Sequence, residues 1–168
     1  MNYTCDYCFH AGSSAFSATG VAVISGTTDI RFPTVIINTG GDYNTGTGMF
    51  TCRVAGLYWF SATIGKNWSN AVDYVLCYIM LNGVSKIYLY TDPYSDNRDG
   101  YSSTGSVAFQ LRPGDRVHVG DCRHAEDISN REMTHFSGML VRPDVWTKLK
   151  HLAWCYRFLQ PWFNMFYM

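Results

Sequence analysis

Between residues 15 and 144 the chain is a succession of short apolar runs separated by turn-forming residues, and few folds other than an all-β one accommodate that pattern. The runs are GVAVISG, TVIIN, GMFTCRV, LYWFSATIG, YVLCYIMLNG, KIYLYTD, SVAFQLRPGD, RVHVGDC and HFSGMLVRPD. None sustains a 3.6-residue apolar period, and no repeat of fixed length is present. Strands at this spacing suit a sandwich or jelly roll. LNG and RPGD supply the Gly and Pro-Gly that a reversing chain needs, and NTGTG suits a bulge or a wide connection.

The chain has 168 residues, of which 47% are hydrophobic, so it can bury one sizeable core and is expected to form one domain. Thirteen basic and thirteen acidic side chains cancel. No net field therefore exists to hold nucleic acid or an anionic membrane non-specifically. Twelve Tyr and fifteen Gly lean the same way as the apolar runs, toward pleated surfaces and tight turns. The organisation expected is an N-terminal segment over 1–14, a globular domain over 15–144 and a tail over 145–168. The opening MNYTCDYCFHAGSSAF is polar and broken by Gly and Ser, so it carries no export signal. The tail has no acidic residue. It interleaves Lys148, Lys150, His151 and Arg157 with Trp146, Trp154 and Trp162, and Pro161 interrupts any helix. It reads either as an interfacial segment in contact with a membrane or as an extension that is not part of the natural protein.

Alternation along GLYWFSA sets Tyr58, Phe60 and Ala62 on one face of a strand and Leu57, Trp59 and Ser61 on the other. Both faces are rich in apolar residues. A strand wetted on one side would not carry Leu and Trp there, so the second face is expected to be covered by another copy of the chain, unless the strand is an unusually buried central one.

The aromatic and Gly positions here resemble the signature of the C1q globular-head family, part of the tumour-necrosis-factor-like jelly rolls. Phe32, Asn38, Tyr43, Phe50, Gly56, Tyr58 and Phe60 fall at the family's intervals, and Ala62 stands where a final aromatic is usual. SVAFQLRPGDRVHV and FSGMLVRPD are similar to the family's last strands. The resemblance implies an all-β jelly-roll sandwich of about ten antiparallel strands. It also implies a secreted homotrimer that binds carbohydrate, microbial-surface or protein ligands through loops and catalyses nothing, with Leu57, Trp59 and Ser61 at the trimer interface. The runner-up is a cytokine-like trimer that clusters a receptor. Neither a Gly-x-y repeat nor a heptad precedes the head, so the chain reads as a head alone or as a piece of a longer protein.

The same resemblance implies an intrachain bridge between Cys52 and Cys77, the alternative being two buried free thiols. Asn67 in NWS, with Asn2 in NYT, is a glycosylation acceptor sequence. TDPYSDNRDGYSS gathers Asp92, Asp96 and Asp99, which as hard oxygen donors suit Ca²⁺, although an acidic solvated turn would read alike. Cys122 with His124, and Cys5, Cys8 and His10, hold atoms of a nucleophile pair or a zinc site, yet neither set has a complete ligand pattern. NTGTGMF lacks the Lys-Ser/Thr ending of a phosphate loop.

Overall fold

The structure, a computed structural model, describes residues 13–67, 72–92, 101–129 and 133–144. In chain order the strands are β1 (Ala15–Thr19), β2 (Ala22–Val23), β3 (Ile30–Arg31), β4 (Thr34–Thr39), β5 (Tyr43–Asn44), β6 (Met49–Thr51), β7 (Gly56–Gly65), β8 (Val75–Leu81), β9 (Val84–Thr91), β10 (Ser102–Leu111), β11 (Arg116–Arg123) and β12 (His135–Pro143). A 3₁₀ turn, Ala125–Asp127, precedes β12. Ten of these strands form two five-stranded antiparallel sheets, ordered β10-β7-β12-β1-β4 and β5-β6-β11-β8-β9, while β2 and β3 pair separately. The first and last strands lie side by side inside one sheet, as a jelly roll requires.

Side chains alternate across each strand, so the inner faces of the two sheets share one core. Phe16 of the first sheet stacks on Tyr43 of the second with ring centroids 4.6 Å apart, and Phe50 meets Phe60 edge-on at 5.2 Å. Each such pair adds about 1 kcal/mol to what burial alone provides. The spaced aromatics of the sequence thus come together: Phe32, Tyr43, Phe50, Tyr58 and Phe60 are all buried in this cluster. Ala62, where an aromatic is usual, lies opposite Phe136, whose fully buried ring packs near Phe60 with centroids 6.1 Å apart.

The polar members of the pattern are structural as well. The Asn38 amide donates to the Tyr43 carbonyl at 2.8 Å and accepts from the Tyr43 N–H at 3.2 Å, pinning the turn between β4 and β5. The Tyr43 hydroxyl accepts from Phe32 N–H at 3.1 Å and donates to the Phe32 carbonyl at 3.2 Å. A Cβ at Gly56 would strike the Arg142 carbonyl, so β12 can lie this close only because Gly56 lacks a side chain. Between β8 and β9, Asn82 and Gly83 take φ values of 52° and 78°, the paired left-handed conformations of a type I′ hairpin.

The expected Cys52–Cys77 bridge is not formed. Cys77 pairs with Cys122, with Cα atoms 4.1 Å apart, and Cys52 is free and buried. Strand order explains the correction. The Cys52 N–H donates to the Asp115 carbonyl, which places Cys52 beside the start of β11. Cys77 lies against the far end of the same strand. Seven residues separate those points, roughly 23 Å of extended chain.

Candidate functional site

The outer face of the first sheet is built from rows of side chains set opposite one another. One row runs Ala108, Trp59, Met139, Ala15 and Thr39. The next runs Ser106, Ser61, Ser137, Ser17 and Ile37, and a third begins Thr104, Thr63, His135 and Thr19. Hydroxyls bond along the rows: Ser106 Oγ donates to Ser61 Oγ at 3.0 Å, Ser17 and Ser137 share a bond of 2.9 Å, and Thr63 and Thr104 one of 2.7 Å. The polar atoms are therefore satisfied sideways, within the sheet, and the serine row makes a strip of small side chains across it.

Apolar surface frames that strip. Ile36 is 70% exposed, Val141 57%, Ile37 49% and Met139 47%, while Leu57 and Trp59 are half-buried. Leu57, Trp59 and Ser61 share this outer face as alternation predicted, with Tyr58, Phe60 and Ala62 fully buried behind them. Apart from Ser61, which the alternation named, the serines and threonines that complete the rows are missed by sequence reasoning. Their only signal is alternation within each strand, and register is needed to bring the four strands together.

A C1q domain family model matches residues 15–141. The chain belongs to the C1q domain family. This C1q domain is 33% identical to a subunit of the complement C1q subcomponent of Rattus norvegicus over 117 residues, which is 68% of this chain and 44% of the rat protein. It is also 33% identical to complement C1q tumor necrosis factor-related protein 6 of Mus musculus, over 63% of this chain and 39% of that protein. It thus spans less than half the length of these relatives. Among solved structures, the globular domain of zebrafish complement 1qA protein matches with a TM-score of 0.59 at 20% identity, covering 78% of this chain and 99% of that one. Murine APRIL at pH 5.0 matches with 0.57 at 12% identity, covering 76% and 98%. Both likenesses concern the fold.

The other residues singled out in the sequence of this C1q domain are scattered. Asp92 directly follows β9 and accepts a hydrogen bond from the Tyr90 hydroxyl at 3.0 Å, which raises the phenol's pKa. Asp96 and Asp99 lie outside the described residues, as do Cys5, Cys8, His10, Asn2 and the 145–168 tail. Asn67 lies exposed beyond β7, after the bridge residue Lys66, and its side-chain amide donates to the Ile128 carbonyl at 3.3 Å. Cys122, held in its disulfide, is no nucleophile for His124. Burial pushes the Cys52 thiol pKa up, so Cys52 is held as an unreactive thiol. Among the described residues no group of three His, Cys, Asp or Glu side chains is placed to hold a metal, and no helix is long and apolar enough to cross a membrane.

Proposed function

We propose that this C1q domain is a non-catalytic recognition module that assembles as a homotrimer through the outer face of its first sheet and takes carbohydrate, microbial-surface or protein ligands on its loops. The carrying observation is the strip of small hydroxyls framed by Leu57, Trp59, Ile37 and Met139, an apolar face of a kind that soluble proteins cover. Its internal hydroxyl bonds leave little polar surface to desolvate when copies meet. Kinship with a component of complement C1q supports a role in innate immune recognition. The Cys77–Cys122 bridge and the exposed Asn67 acceptor support an extracellular location, since disulfides persist in oxidising compartments. Asp92, with Asp96 and Asp99, is proposed to hold Ca²⁺ in the loop that presents ligand.

Light scattering on the intact chain is expected to give the mass of three chains. Trp59→Asp is expected to give monomer, because a carboxylate there would be buried unpaired, while Asp96→Ala leaves the trimer whole. A stable monomer at micromolar concentration would remove the proposal. A second reading, a receptor-clustering signalling ligand, draws support from the relationship to the C1q tumor necrosis factor-related protein. The two separate by where ligand attaches: a clustering ligand uses the grooves between subunits, a recognition module its apical loops.

A further inference from the structure

The outer side of the second sheet, away from the proposed assembly face, carries a hollow of about 560 Å³ whose lining includes Met49, Met80, Asn82, Arg116, Asp29 and His118. His118 is only 6% exposed, yet its Nδ1 has no hydrogen-bond partner. Its Nε2 lies 3.6 Å from Asp29 Oδ1. A Cβ on Gly120 would come within 3.0 Å of His118 Cδ2, so the Cδ2–Nε2 edge of the ring faces Gly120 and Asp29. Nδ1 is on the opposite edge, toward the Arg116 end of β11, where the hollow lies. With the proton on Nε2 beside the carboxylate, Nδ1 keeps a lone pair that nothing in the fold uses.

Two methionines line the hollow together with His118. Met80 is its register partner on β8. On the other side the ladder ends at Val117 and Phe50, and Met49, the residue before Phe50, lines the same hollow as His118. Directly opposed residues share a face with Cβ atoms about 5 Å apart, and methionine's three rotatable bonds let its sulfur reach inward. An imidazole nitrogen sharing a hollow with two thioethers is a soft, uncharged donor set, and thioethers select Cu(I) over hard cations. A carboxylate behind the second ring nitrogen is the usual orienting partner of a metal-bound histidine. Arg116 in the lining disfavours a doubly charged ion more than a singly charged one.

We propose that His118 Nδ1 and the thioether sulfurs of Met49 and Met80 form a site for a soft monovalent cation, Cu(I), with Asp29 positioning the imidazole and balancing charge. The event is association alone: Cu(I) enters and leaves as Cu(I), and no electron is exchanged. It does not depend on the trimer. The test uses the intact chain labelled with ¹³C at its methionine methyls, with Ag(I) as the redox-inert stand-in and Cu(I) under ascorbate as the second probe. Silver also takes thiols, so the readout is confined to the Met49 and Met80 methyl signals, assigned with Met49→Leu and Met80→Leu, which keep the volume. Both signals are expected to shift in step and saturate together, and to stay still in Zn²⁺ and Ca²⁺. His118→Gln and Asp29→Asn, each checked for unchanged methyl dispersion, are expected to weaken binding by roughly tenfold or more. The proposal is overturned if the two methyls do not move while silver is consumed elsewhere. It is equally overturned if Zn²⁺ shifts them as strongly as Ag(I), or if His118→Gln leaves the titration unchanged.

Discussion

Tyr43 bridges two parts of the core with one hydroxyl, donor to the Phe32 carbonyl and acceptor from the Phe32 N–H, and its ring stacks on Phe16. Burial pushes its phenol from 10.0 up to about 12. Because the folded value lies above the unfolded one, the stability this group contributes is fully present below pH 10 and is lost as pH climbs toward 12. Tyr43→Phe would strand the buried Phe32 N–H, so urea denaturation at neutral pH is expected to show a loss of about 1–3 kcal/mol. Part of the alkaline loss should vanish in the same variant. Unchanged stability would mean that water satisfies Phe32. The sequence named Tyr43 through its spacing from Asn38 and Phe50, but the spacing carried no word of the hydroxyl's partner, eleven residues away.

β11 shows how one extra residue alters a covalent outcome. Val117 and Val119 point into the core, so alternation alone would send Asp121 inward and Cys122 out. The ladder to β8 shifts register between Gly120 and Arg123, and Asp121 takes a φ of 51°. That bulge turns Asp121 outward and brings Cys122 onto Cys77, which is fully buried on β8. Non-reduced peptide mapping is expected to find Cys77 joined to Cys122, with Cys52 alkylated only after unfolding. The bridge spans 45 residues. Losing it through Cys77→Ala with Cys122→Ala is expected to destabilise by about 4 kcal/mol in the chain-entropy account. A Cys52–Cys77 peptide in the map would contradict the strand order. In the sequence, the Cys-to-Cys separations gave no reason to prefer Cys122, because a bulge leaves no compositional mark beyond the Gly-Asp pair.

In the whole molecule the two sheets turn different faces outward: the first carries rows of small side chains, the face proposed above for assembly, and the second carries the hollow around His118 on its own outer side. The Ca²⁺ proposed between β9 and β10 would relieve repulsion among Asp92, Asp96 and Asp99. Its binding should stabilise the fold by about 2.7 kcal/mol at a hundredfold excess over Kd. Tm is expected to rise in Ca²⁺, to fall in chelator and to respond poorly to Mg²⁺, which demands tight octahedral geometry. Asp92→Asn with Asp96→Asn should abolish the shift. Identical melting curves with and without Ca²⁺ would leave the connection a solvated turn.

The sandwich architecture was legible in the chain because its causes are local. Apolar runs of strand length, turn residues such as Asn82-Gly83, and alternation through Tyr58, Phe60 and Ala62 act over a few residues, and the family spacing from Phe32 to Phe60 marks the core they share. Tertiary register decided the rest. The serine row joining β1, β12, β7 and β10, the partner of Cys77, and the placing of His118 opposite Met80 each require strands far apart in sequence to lie side by side at one offset. Slipping that offset by a single residue turns every side chain to the opposite face, so a strand's own residues determine which of them point together but not what they meet.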